Sequence, residues 1–166
     1  MNTRDRFLYV LATCFGLGLL PIAPGTWGAL LGVAIYAAVR LAGVTLPVQT
    51  AIVGGSLLIV SVLTVALSPW SERHWKKKDP GNFVTDEVAG YLMTVLLFPI
   101  GANLPLTLLW TFVITRGLDI VKIPPARQLE YLHGGWGILL DDLMSSIYAA
   151  GVLWGAYWVF PAAFGG

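Results

Sequence analysis

The sequence predicts an all-α membrane protein: one helical bundle of about five membrane-embedded helices behind a short N-terminal helix, forming one domain over residues 1–166. Three observations carry this prediction. Of the 166 residues, 57% are hydrophobic and only 11% charged, against about 25% charged in an average soluble domain. The charges are bunched, so that Phe7 to Val39, Leu41 to Ser71, Val88 to Thr115 and Leu143 to Gly166 contain no Asp, Glu, Lys or Arg. Each of these runs exceeds the ~20 residues a spanning helix needs. Third, Pro and Gly interrupt the runs where turns would fall.

In chain order, a short first helix is expected from about Asp5 to Gly18, ending at the turn "PIAPGTWG". No signal peptide fits this N-terminus, which lacks an Ala-x-Ala-like exit and leads directly into further apolar sequence. A spanning helix follows from Trp27 to about Ala42, then a turn at "GVTLP" and a second span from Val48 to about Ser68. The stretch "SPWSERHWKKKDPGNF" reads as a basic segment at the membrane surface, where Lys76 to Lys78, with Trp70 and Trp75 just before them, suit anionic headgroups. The run Val88 to Thr115 is broken by "FPIGANLP" and reads as a hairpin of two helices. The last span runs from Asp142 to Phe160. Cys14, the single cysteine, reads as a packed thiol.

The hairpin returns the chain to its starting side and so joins segments 72–87 and 116–142 on one face. That face then holds Arg4, Arg6, Arg73, Lys76, Lys77, Lys78, Arg116, Lys122 and Arg127, with Arg40 opposite. The positive-inside rule places the richer face in the cytoplasm. Membrane lipids are the expected surroundings, and no nucleic-acid partner is expected.

The same layout gathers the acids. Asp79 precedes "PGNF", Asp86 and Glu87 open the helix in "TDEVAGY", Asp119 lies in "RGLDIVK", and Asp141 and Asp142 open the last span. Either acid pair alone could be a helix cap or a first-turn charge worth ~0.3–1 kcal/mol. Two pairs meeting at one membrane face, with Asp79 and Asp119, point instead to an oxygen-rich site for a hard cation such as Mg²⁺. Adjacent helical residues diverge by about 100°, so one acid of each pair can face the metal while its neighbour orients water. Arg116, Asp119 and Lys122, spaced i, i+3, i+6, form an ion-pair ladder or a cationic face for phosphate. In "APGTWG", Thr26 is expected to cap the helix at Trp27, and the helix start offers N–H groups to an anion. His133, before Gly134 and Gly135, is a candidate phosphate donor or acid–base group.

Familiar phosphatase routes are excluded. Cys14 is not followed by Arg at the sixth position, and no Asp-x-Asp-x-Thr/Val, phosphohistidine, Gly-x-Ser-x-Gly or P-loop pattern exists. Metal-activated water remains as the economical nucleophile. A different class, a small transporter or channel subunit with a carboxylate-lined ion path, is disfavoured because the acids sit at span ends. A scaffold whose acids only cap helices is the third reading.

The ordered motifs "GLGLLPIAPGTWG", "KDPGNFVTDEVAGY", "RGLDIVK" and "HGGWGILLDD" resemble the phosphatidylglycerophosphatase A family over about Gly16 to Tyr148. The resemblance implies a Mg²⁺-dependent lipid phosphatase of the bacterial inner membrane that converts phosphatidylglycerophosphate to phosphatidylglycerol and phosphate. It also implies a bundle with one central helix surrounded by others. The family motifs fall on Pro24, Gly25, Thr26, Asp79, Asp86, Glu87, Arg116, Asp119, Lys122, Gly134, Gly135, Asp141 and Asp142. Where the family commonly reads Lys-Pro-x-Pro, this chain has Lys122, Ile123, Pro124 and Pro125, so the helix is expected to end a residue later. The expected metal ligands are Asp86, Glu87, Asp141 and Asp142, with Asp79 or Asp119 completing the set. Arg116, Lys122 and the Thr26 turn would bind the phosphoryl oxygens.

Overall fold

A computed structural model describes residues 2–99, 101 and 103–165. The described residues form seven α-helices and no strand: α1 (Thr3–Ala12), α2 (Pro24–Leu41), α3 (Leu46–Trp75), α4 (Thr85–Leu97), α5 (Leu104–Val121), α6 (Ala126–Leu129) and α7 (Gly135–Val159). Short 3₁₀ turns lie at Leu17–Leu19 and Pro161–Phe164. Three helices, α3, α5 and α7, are long and apolar enough to cross a membrane. Helices α2 and α4 complete the bundle with them.

The central helix is α4. It packs against α2, α3, α5 and α7, and it is buried on almost every side, including Val88, Ala89, Tyr91, Leu92 and Val95. A helix apolar all round belongs inside a bundle. Hydroxyl pairs fix it to its neighbours at three levels: Thr64 donates to Thr85 (2.9 Å), Thr115 to Thr94 (3.0 Å), and the Tyr91 and Thr111 hydroxyls meet at 2.9 Å. Such pairs satisfy polar groups that neither lipid nor core could hydrate. At the far end Arg40 donates to the Gly101 carbonyl at 2.7 Å, which places the α4–α5 turn opposite the acids. The hairpin and the expected two-ended charge layout are therefore present.

Several boundaries differ from the sequence expectation. The first helix ends at Ala12 rather than near Gly18, because Cys14, Phe15 and Gly16 all take positive φ and turn the chain. Helix α3 continues through Pro69 to Trp75, so it does not stop near Ser68 and "SPWSERHW" is helical. Packing overrides the proline: Leu67 is buried with Ala12, Phe83 and Ile138, and Trp70 donates to Asp5 at 3.1 Å. Helix α5 ends at Val121, before Lys122 rather than after it. Lys122 caps it in the left-handed region at φ 47°, since the residue before a proline, Ile123, is disfavoured in a helix. Helix α7 starts at Gly135, so Asp141 and Asp142 lie in its second turn instead of opening it. The cause is close packing, because a Cβ at Gly135 would stand 2.6 Å from the Cα of Val65 on α3.

Candidate active site

One end of the bundle holds a cleft of about 340 Å³ between the N-terminus of α2, the loop after α3, the start of α4 and the C-terminal part of α5. Of the residues singled out in the sequence, Pro24, Gly25, Thr26, Asp79, Asp86, Glu87, Arg116, Asp119, Lys122 and Asp142 all line it. Fifty-five residues separate Glu87 from Asp142 in sequence, and the hairpin with α7 brings them together.

Each element delivers its side chain for a local reason. Helix α4 begins at Thr85, so Asp86 and Glu87 occupy its first turn, where carboxylates complement the helix dipole. Glu87 pairs with Arg116 of α5. Arg116 also donates to Asp119 Oδ2 at 2.8 Å, one turn along the same helix. Glu87, Asp119 and Asp142 offer carboxylate oxygens that all lie within 4.8 Å of one another. Asp86 Oδ1, Asp119 Oδ1 and Asp141 Oδ1 are buried and have no hydrogen-bond partner among the described residues.

The expected metal set was Asp86, Glu87, Asp141 and Asp142. The geometry gathers one acid of each pair, Glu87 and Asp142, and joins Asp119 to them. Asp141 turns instead to Lys122, whose ammonium lies 2.5 Å from its Oδ2. Asp86 lines the same cleft but stands outside the close trio. The prominence of Asp119 was legible in "RGLDIVK" only as part of a ladder, because its partners come from other helices.

Electrostatics favour a cation here. Six carboxyl groups, Asp79, Asp86, Glu87, Asp119, Asp141 and Asp142, surround two cations, Arg116 and Lys122. Like charges this close repel strongly in a medium less polarisable than water. A hard divalent ion would take just such oxygens, and the unpartnered buried oxygen of Asp119 gives it a free lone pair. Outside the helices the charges act on two groups. Burial lifts the Asp79 carboxyl above its usual range, with Lys122 pulling it back and Glu130 adding to the rise. Burial works against the Lys122 charge, but the hydrogen bond to Asp141 and the nearby carboxylates outweigh it and hold the ammonium above its ordinary range.

One expectation about the flanks fails. Thr26 does not cap α2: the helix starts at Pro24, Ala23 is its N-cap, and no side chain bonds the cap, as suits a proline at the first helical position. His133, Gly134 and Gly135 do not line the cleft. His133 is exposed, and Gly135 is buried against α3. Gly25 has a role that its motif did not reveal. A Cβ there would fall on the Glu87 carboxylate and 3.1 Å from Nη2 of Arg116, so a side chain at this position would push the carboxylate aside.

These features define an integral-membrane helical protein with an acid-lined, cation-flanked cleft at one end of its spans. A model of the family described as "Phosphatidylglycerophosphatase A" matches residues 10–157. The chain belongs to that family and is a phosphatase. Among similar proteins, the phosphatidylglycerophosphatase A of Escherichia coli is 31% identical over 90% of this chain and 84% of its own length. That of Haemophilus influenzae is 32% identical over 92% and 90%. A protein of Bacteroides thetaiotaomicron, provisionally named a phosphatidylinositol-3-phosphatase, is 34% identical over 94% and 98%. No solved structure gives a significant match to the chain.

Proposed function

We propose that the protein is a Mg²⁺-dependent hydrolase of phosphatidylglycerophosphate, releasing phosphatidylglycerol and inorganic phosphate in phospholipid synthesis. The observation that carries this reading is the trio Glu87, Asp119 and Asp142, within 4.8 Å and facing a cleft shared with Arg116 and Lys122. Glu87, Asp119 and Asp142 would hold the ion, with Asp86 beside them. When bound, Mg²⁺ would supply Lewis-acid stabilisation of phosphoryl charge and lower the pKa of water.

The chain's own residues do the rest. Arg116 and Lys122 stand where the terminal phosphate would enter, and their charge favours the spread negative charge of the transferring group. Water forms the new bond to phosphorus, and the bond from phosphorus to the glycerol oxygen breaks. Asp79, whose carboxyl holds its proton more tightly than a free aspartate, donates that proton to the leaving oxygen. The diacylglycerol part stays in lipid beside the exposed Ile22 and Ile120 at the cleft edge. Orientation follows the lysine and arginine excess, with the cleft on the cytoplasmic face of the bacterial inner membrane.

Purified protein in detergent should release phosphate from phosphatidylglycerophosphate with Mg²⁺ and stop when the ion is chelated. Asp119→Asn and Asp142→Asn should each lower the rate by two orders of magnitude or more, on the order of the loss of a metal ligand or main charge stabiliser. Faster release from phosphatidylinositol 3-phosphate than from phosphatidylglycerophosphate would transfer the substrate assignment to the chemistry named for the Bacteroides relative.

A further inference from the structure

A second polar cavity of about 350 Å³ lies away from the acids, between α1 and the end of α3, lined by Arg4, Asp5, Leu8, Trp70, Arg73 and His74. Arg4 and Arg73 form no ion pair among the described residues. Asp5 is already engaged, accepting from the Trp70 indole at 3.1 Å. The formal balance of the cavity is then two guanidinium groups against one carboxylate. Trp70 and His74 stack at 4.7 Å and 14° to form a flat wall, the kind of amphipathic surface found at headgroup depth.

Directly below on α3 is an apolar groove of about 490 Å³ against α7, lined by Leu58, Val62, Ala66, Trp136 and Leu143 among others. Val62, Ala66, Pro69 and Arg73 follow the spacing i, i+4, i+7, i+11 and are all exposed, so they make one stripe along the helix. The stripe runs from the groove to the arginine, over a distance of ~16 Å at 1.5 Å per residue. A charged head with a chain beneath it matches that order.

We infer that an anionic phospholipid docks on α3, with its phosphate between Arg4 and Arg73 and an acyl chain in the α3–α7 groove. Two guanidinium groups from different helices on one cavity suit a headgroup with net negative charge better than a zwitterionic one, whose own cation they repel. The site stands apart from the catalytic cleft, so the inference does not depend on which lipid the enzyme hydrolyses.

Native mass spectrometry of the full chain, with phosphatidylglycerol or phosphatidylcholine added to the detergent, tests it. One phosphatidylglycerol should be retained in preference to phosphatidylcholine. Retention should fall about thirtyfold in R4Q/R73Q, the product expected for two basic residues at an anionic surface. It should fall also in V62W/A66W, which fills the groove, and persist in K76Q/K77Q/K78Q. Equal retention of phosphatidylcholine, or undiminished retention in R4Q/R73Q, overturns the inference. If inorganic phosphate binds the arginine pair and displaces the lipid while V62W/A66W retains it, the site is one for free phosphate and the lipid is rejected. Thermal unfolding of each variant separates loss of the site from loss of the fold.

Discussion

At Gly25 a single added carbon would meet the Glu87 carboxylate and approach the Arg116 guanidinium. Gly25→Ala should keep or slightly raise stability, since alanine is favoured over glycine in a helix by about 1 kcal/mol. It should also displace the Glu87 carboxylate and raise the Mg²⁺ concentration for half-activity about tenfold, the usual scale for disturbing a ligand's support. Metal titration alongside thermal unfolding checks both halves. Asp79 gives a pH prediction. If its proton serves the leaving group, activity falls as pH rises through its pKa, and burial has moved that fall upward from the usual carboxylate range. Asp79→Asn should lower activity and abolish that alkaline limb, read from rate against pH with saturating Mg²⁺. At this scale the sequence was most informative about residue types. The acids, Arg116 and Lys122 stood out because charge is rare in this chain. Which acids face each other did not, since it depends on how α5 and α7 rotate against α4.

Among elements, the helices were legible from charge-free runs and from Pro and Gly at their ends, and the hairpin at "FPIGANLP" is present. The ends of α3 and α7 were not. Pro69 reads as a stop in sequence, yet α1 packs on the following turn through Trp70 and holds it helical. The last span reads as starting at Asp142, yet Gly135 lets α7 begin early against α3. Gly135→Ala should therefore act on packing and not on substrate. It brings a methyl group against the Val65 backbone and the Ser68 side chain and should cost about 1–3 kcal/mol, seen as a lower unfolding temperature in detergent. An unchanged unfolding temperature with a raised KM would return Gly135 to the substrate site. Thr26 teaches the same lesson on a smaller scale, because α2 starts at Pro24, two residues before a good capping residue.

For the whole molecule, the charge asymmetry that set the topology is a statement about two ends, and the structure has those ends: Arg40 with the α4–α5 turn at one, the acids and most cations at the other. Lys77→Cys should react with a membrane-impermeant thiol reagent only from the cytoplasmic side, and Gly43→Cys only from the opposite side. Native Cys14 should stay silent in both, because burial, assisted by Asp86, pushes its thiol up to about 12. Labelling of Lys77→Cys from outside intact cells would invert the assigned orientation. The transporter reading suggested by a carboxylate-rich membrane chain gives way to the family membership. One dimension of the bundle bears on how such an enzyme meets its substrate. Central α4 has 13 residues, ~20 Å against a hydrocarbon thickness of ~30 Å. Thr64, level with its first residue, is followed on α3 by eleven more helical residues. The start of α4, with its acids, thus lies ~16 Å below the end of α3. A lipid phosphate hydrolysed in such a recess would not have to be lifted out of its leaflet, since water would come down to it.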